Sequence, residues 1–157
     1  MPYRTFQGSL DASGLRIGVV VSRFNEFITE QLAKGALAVL EKHGCRNENI
    51  RFVKVPGAWE LPIAAKALAS WCDAIVALGA VVRGDTPHFE YVAAGATDGL
   101  RQVSMETGVP IAFGILTTND MQQAMDRAGG KSGNKGCEAA EAAIELANLI
   151  RHLKEQP

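Results

Sequence analysis

Gly79-Ala80-Val81-Val82-Arg83-Gly84-Asp85-Thr86-Pro87-His88-Phe89-Glu90 reads as the end of a buried strand, a glycine turn and the start of a helix. The run that feeds it, Ala74 to Val82, is the longest uncharged apolar stretch of the chain. It falls far short of the roughly 20 residues of a membrane span. A strand that passes through a glycine loop straight into a helix is the building unit of an α/β sheet. Gly84 permits an unusual backbone angle, Thr86 has the side chain of an N-cap, and Pro87 suits a first helical position. Free N–H groups at such a helix start attract a phosphate, and His88 puts a proton-transferring imidazole at the same mouth. The plainer reading of these residues is a capped helix with no ligand.

Working outward, Leu15 to Val21 is a short apolar, β-branched run, and Ile50 to Val55 and Val109 to Leu116 are two further strand candidates, which makes four strands. Helical spacing fills the intervals. Phe27, Ile28, Leu32, Ala36, Val39 and Leu40 follow Asn25 as N-cap and stop at Gly44. Leu61, Ala64, Leu68 and Trp71 share a face after Pro56-Gly57. Further helices are read over His88 to Thr107, Asp120 to Ala128 and Cys137 to Leu153, with a glycine- and lysine-rich loop over Gly129 to Gly136. Alternation of this kind predicts a three-layer αβα domain spanning residues 1–157, with a four-stranded parallel sheet of flavodoxin-like type. Arg4 to Ser9 forms an extra extended segment, added to this sheet or to that of a neighbouring subunit.

Two helices ask for more than one partner. His88 to Thr107 carries Ala93, Ala94, Gly95, Ala96 and Gly99. Each glycine costs about 1 kcal/mol of helix propensity against alanine, so close packing must offset it. The final helix has two apolar stripes, one of Ala140, Ala143, Ile144, Ala147 and Ile150, the other of Ala139, Ala142, Leu146, Leu149 and Leu153. One stripe suffices for a surface helix, so the second points to a subunit interface.

Composition removes several classes of function. Hydrophobic residues make up 47% and charged residues 21%, enough for a packed core. A net charge of -1, without a basic stripe, speaks against nucleic acid. Met1 to Leu10 has no basic segment followed by an apolar core, so no secretory signal is read. Cys45, Cys72 and Cys137 are odd in number and widely spaced, which disfavours a disulfide framework or zinc site and fits a reducing cytoplasm. No Gly-Lys-Ser/Thr follows Gly84 and no Gly-x-Gly-x-x-Gly follows the first strand, so neither a Walker loop nor a dinucleotide site is expected.

Ligands of open α/β sheets gather beyond the carboxyl ends of the strands. Four such ends are Ser22-Arg23-Phe24-Asn25, Pro56-Gly57-Ala58-Trp59-Glu60, Arg83 to His88 and Gly114 to Asn119. They suit a flat ring, a polyol and a phosphate. Phe24 stacks on a planar ligand or packs under its loop. For Trp59 and Phe113 ordinary packing is the stronger reading, since aromatics at strand ends usually pack, and Glu60 bonds hydroxyls or simply sits in a first helical turn. Arg127, Lys131 and Lys135 surround the glycine loop, as a phosphate clamp or as solvated charges.

Together, Ser22 to Asn25, Val55 to Glu60, Gly79 to Glu90, Ala112 to Thr117 and Arg127 to Gly136 resemble the lumazine synthase family, in family order and over nearly the whole chain. The resemblance implies condensation of 5-amino-6-(D-ribitylamino)uracil with 3,4-dihydroxy-2-butanone 4-phosphate, a step of riboflavin biosynthesis that needs no cofactor. By the same resemblance Phe24 stacks on the pyrimidinedione, and Ala58, Trp59 and Glu60 line the ring and ribityl region. Ala80, Val81 and Val82 offer main-chain contacts, Asp85 and Thr86 form the phosphate loop, and His88 transfers protons. Phe113 and Arg127, the latter a phosphate ligand, reach the site from the adjoining subunit, with Lys135 a secondary substrate contact. The family forms pentamers, some closing into icosahedral shells, and the short loop after Arg127 suits a shell; riboflavin synthase is the implied protein partner. Two residues depart from its commonest pattern: Ala80 stands where a threonine is frequent, and Trp59 is bulkier than the usual Phe or Tyr; Asp85 adds a negative charge to the phosphate loop, which the family tolerates. The rivals are a non-catalytic riboflavin- or lumazine-binding shell protein and a flavodoxin-like electron carrier. The second wants a Ser/Thr-rich loop where Ser22-Arg23-Phe24-Asn25-Glu26 stands.

Overall fold

The structure, a computed structural model, describes residues 2–155. Strands β1 (Ile17–Ser22), β2 (Ile50–Val55), β3 (Ala74–Val82) and β4 (Ile111–Thr118) form one parallel sheet in the order β2-β1-β3-β4. Helices α1 (Glu26–Lys42) and α5 (Lys135–Glu155) cover one face, against Val19, Val21, Val76 and Leu78. Helices α2 (Leu61–Leu68) and α3 (His88–Thr107) cover the other, against Val20, Ile75 and Ala77. Burial on both faces explains why β1 and β3 are continuous apolar runs instead of alternating ones. Register aligns the strand ends: Ser22 pairs with Val55, and Val82 with Thr118.

Several boundaries differ from the sequence expectation. β1 begins at Ile17; Leu15 is fully buried but belongs to a turn in which its N–H donates to the Ala12 carbonyl. β4 extends to Thr118, because the ladder with β3 continues through Val81–Thr117 and Val82–Thr118. Helix α2 stops at Leu68, preceded by a 3-10 turn over Ala58–Glu60, and Ala65 is fully buried where Ala64 is only half-buried. Trp71 lies past the helix, with the Arg51 and Arg16 guanidinium carbons 4.2 and 5.7 Å from its ring centroid. Phe27 is 70% exposed and takes no part in the buried stripe of α1.

The expected loop over Gly129–Gly136 is a tight antiparallel hairpin, β5 (Ala128–Gly130) and β6 (Gly133–Asn134), that follows helix α4 (Met121–Arg127). Helix α5 starts two residues before Cys137, because Asn134 Oδ1 accepts from the N–H groups of Gly136 and Cys137. Asp120, read as part of the helix, instead caps α4 from outside it, its Oδ1 accepting from Gln123 N at 2.8 Å.

The extended N-terminal segment joins no strand within the protomer. It runs along α5, where Asn148 Nδ2 donates to the carbonyls of Ser9 and Asp11 and the Phe6 and His152 rings lie 5.2 Å apart. On α5, Ala139, Ala140, Ala143, Ile144 and Ala147 are buried, while Ala142, Leu146 and Leu153 of the second stripe face outward. In α3 the small residues accommodate close neighbours: a Cβ at Gly99 would lie 2.6 Å from Pro62 Cγ of α2.

Candidate active site

The aligned strand ends open on a cavity of about 750 Å3 lined by Phe24, Pro56 to Glu60, Ala80 to Val82, Gly84, Thr86, His88, Phe89, Tyr91 and Val92. Its size suits a small organic molecule. Each wall is set by local structure. At the end of β1 the chain swings over the sheet edge, held by Arg23 N to the Val55 carbonyl (2.8 Å) and Phe24 N to the Pro56 carbonyl (3.0 Å). The Phe24 ring is left 71% exposed at the cavity, as an aromatic platform and not a core residue.

Asn25 completes that turn in a way its sequence position does not reveal. It holds the N-cap position of α1, its carbonyl accepting from the N–H groups of Ile28 and Thr29, but its side chain makes no capping bond. It stands in the left-handed region (φ 62°, ψ 47°), and its Nδ2 donates to the Ala80 carbonyl at 2.9 Å. The cause is topological. β1 pairs with β3 only as far as Leu78, whereas β4 continues to Val82 on the opposite side. The β1-facing edge of Ala80, Val81 and Val82 therefore has no strand partner. The Asn25 amide takes one carbonyl there, and the remaining main-chain edge borders the cavity.

The second wall is the 3-10 turn. Glu60 Oε1 accepts from Gly57 N at 2.8 Å, which fixes the turn and orients the carboxylate. A carboxylate has further acceptor sites for ligand hydroxyls. Ala58 is buried beneath, and Trp59 is 62% exposed.

The third wall is the loop from Arg83 into α3. The helix begins at His88 itself, so Pro87 takes the cap position and not the first helical one. Thr86 Oγ1 accepts from His88 N at a long 3.4 Å. The amino end of a 20-residue helix thus faces the mouth of the cavity beside an exposed imidazole.

The protomer brings together Phe24, Ala58, Trp59, Glu60, Ala80, Val81, Val82, Thr86 and His88, with Asp85 in the adjoining loop. It does not bring Phe113, Arg127 or Lys135 to the same cavity. Phe113, 44% exposed, borders a separate groove with Thr97, Leu100 and Met105. Arg127 ends α4 with Nη1 donating to the Gln123 carbonyl, and Lys135 starts α5 with Nζ 3.8 Å from Glu138. The cavity also recruits Phe89, Tyr91 and Val92, which the sequence reading did not single out. Tyr91 was findable, since three residues past His88 is the same helix face. Among the described residues no group of three or more His, Cys, Asp or Glu is placed to hold a metal ion, and no helix is long and apolar enough to cross a membrane.

A family model described as 6,7-dimethyl-8-ribityllumazine synthase matches residues 14–151. Proteins named 6,7-dimethyl-8-ribityllumazine synthase from Nitratidesulfovibrio vulgaris, strains DP4 and Hildenborough, are each 49% identical over 152 residues, covering 96% of this chain and 97% of the relative.

Proposed function

The chain belongs to the 6,7-dimethyl-8-ribityllumazine synthase family, and from that premise we propose that it condenses 5-amino-6-(D-ribitylamino)uracil with 3,4-dihydroxy-2-butanone 4-phosphate in its strand-end cavity. The observation that carries the proposal is the joining of an aromatic platform, a carboxylate and a histidine at a helix amino end in one cavity. Each suits a different part of the two substrates. Phe24 stacks on the pyrimidinedione, and Glu60 holds ribityl hydroxyls. The unpartnered edge of Ala80, Val81 and Val82 meets the polar rim of the ring through main-chain groups. The loop of Asp85 and Thr86, with the start of α3, takes the phosphate.

The chemistry follows from that placement. The aromatic amine attacks the ketone carbon, and the carbonyl oxygen leaves as water to give an imine. Loss of the phosphate, with a proton from the adjacent carbon, leaves an enol that becomes a second carbonyl. The ribitylamino nitrogen attacks it and a second water departs, closing the ring. Each step needs proton transfers at atoms near the phosphate, where His88 stands as acid and base. Holding two reactants in register supplies much of the remaining rate.

Phe113, Arg127 and Lys135 complete the site from an adjoining subunit. Their positions outside the protomer's own cavity support this, as does the outward stripe of Ala142, Leu146 and Leu153 on α5. The assembly we propose is a pentamer closing into an icosahedral shell, with the N-terminal segment added to a neighbour's sheet at edge strand β2. Its setting is the cytoplasm, with riboflavin synthase as partner. The test is lumazine absorbance on mixing the substrates with purified protein, against the uncatalysed rate, with His88→Ala and Arg127→Ala alongside. Acceleration lost in both variants supports the assignment. No acceleration, with tight riboflavin binding, replaces it with a non-catalytic flavin-binding protein.

A further inference from the structure

Arg83 does not line the cavity, yet its side chain ties two separate elements beside it, the first turn of α3 and the turn after β4. Its guanidinium carbon lies 4.5 Å from the centroid of Phe89, a cavity residue. Nε donates to Asn119 Oδ1 at 3.1 Å, beyond the end of β4, and Nη1 reaches Glu90 Oε1 at 3.5 Å in the first turn of α3. Its backbone N–H donates to the Thr118 carbonyl at 2.8 Å. Asn119 is itself fixed, its N–H donating to Gln123 Oε1 at 2.8 Å.

The loop between Arg83 and His88 has little else to hold it. Gly84 has nothing within 4 Å of where a Cβ would stand, Gly84 to Pro87 are all exposed, and the Thr86 hydroxyl makes only the long contact with His88 N. Loop N–H groups meant for an anion must nevertheless converge before the anion arrives.

We infer that Arg83 is a positioning residue, which clamps the loop of Gly84 to His88 at both ends so that its N–H groups and the His88 imidazole face the phosphate of the substrate. The inference rests on the synthase reading of this cavity. The exposed ion pair with Glu90 adds little, since both side chains are open to solvent. Stacking on Phe89 and the bond to Asn119 provide the restraint, and both depend on a flat, forked cation. Lysine keeps the charge but not the fork. A positioning role therefore predicts that Arg83→Lys fails nearly as badly as Arg83→Met, whereas simple attraction of phosphate by positive charge predicts rescue by lysine.

The experiment uses the full chain in its native assembly. KM is measured for each substrate in wild type, Arg83→Met and Arg83→Lys, and amide hydrogen exchange is followed over residues 84–90. In both variants we expect KM for the phosphate-bearing substrate to rise about tenfold while that for the ribitylaminouracil stays within about twofold, and exchange over the loop to accelerate. Wild-type KM values in Arg83→Lys, or unchanged exchange in Arg83→Met, overturn the inference. If the wild type shows no turnover, the synthase reading falls, and the exchange comparison alone decides whether Arg83 holds the loop.

Discussion

The Trp59 indole rests against the bare backbone of Gly95, so closely that a Cβ at Gly95 would collide with Cζ3 of the ring. This contact links two observations. It offsets part of the helix propensity that α3 forgoes at Gly95, and it stands an exposed tryptophan upright as a wall of the cavity.

Gly95→Ala should therefore damage the site more than the fold. Alanine adds about 1 kcal/mol of helix propensity, while overpacking costs about 1–3 kcal/mol where nothing can move. Trp59 is 62% exposed and can swing outward, which relieves most of that cost. The expected result is a midpoint of thermal unfolding within a few degrees of wild type, together with a ribitylaminouracil KM raised about tenfold. An unchanged KM would show that the indole does not define the ring pocket.

His88 lines the cavity while Arg127 lies outside it in the same protomer. If each site draws its histidine from one subunit and its arginine from the next, His88→Ala and Arg127→Ala damage different halves of a shared interface. Dissociating the two inactive variants and reassembling them together should restore about one quarter of wild-type activity, the share of interfaces that receive both intact halves. No recovery on co-assembly, with recovery in a parallel wild-type control, would place both residues in one subunit's site.

The order of elements and the cavity floor were legible because they depend on local pattern. Uninterrupted apolar runs mark the central buried strands β1 and β3, and Pro56-Gly57 and Gly84 mark the turns that deliver Ala58, Trp59, Glu60 and His88 to one edge. Asn25 stands at the N-cap of α1 as its position implies, but its side chain is used elsewhere, because asparagine serves both as a side-chain cap and as a residue tolerant of left-handed backbone. Which use prevails depends on β1 stopping short of the end of β3. Phe27 fits the helical period, yet its ring lies exposed on α1 and outside the buried stripe. The start of α5 was hidden because its cap, Asn134, stands inside a glycine-rich stretch that reads as loop. Phe113 at a strand end and the basic pair Arg127 and Lys135 read as ligand contacts or as ordinary packing and solvated charge, and only the resemblance chose between these, since the single protomer does not bring them to His88.

Asn25 invites a comparison in which the usual order of substitutions is reversed. Asn25→Gly keeps the left-handed backbone and loses only the 2.9 Å bond to the Ala80 carbonyl, a cost of about 1 kcal/mol. Asn25→Ala loses the bond and adds about 1–2 kcal/mol of backbone strain. Urea unfolding should rank the proteins wild type, then glycine, then alanine. Equal stability of the two variants would mean that the turn relaxes to negative φ when the amide is gone.

Alkaline pH offers a separate check on the packing beneath α2. Cys72 is 7% exposed, and its thiol donates to the Leu68 carbonyl at 3.2 Å. Burial, aided by the neighbouring Asp73 carboxylate, pushes its pKa up to about 11 from an ordinary 9.0, against smaller opposing contributions from backbone N–H groups and Arg16. The folded state thus holds the proton more tightly than the unfolded chain. Stability from this group is fully present below about pH 9 and is lost as pH rises through about 11, an effect on the order of 2 kcal/mol. Burial also raises Cys45, which titrates in the same direction, so the useful quantity is a difference. Subtracting the stability of Cys72→Ala from that of wild type should give a flat line below pH 9 and a fall between about pH 9 and 11. A flat difference through pH 11 would mean that water already reaches the thiol, and that the contact of α2 with the sheet is looser than the burial of Cys72 indicates.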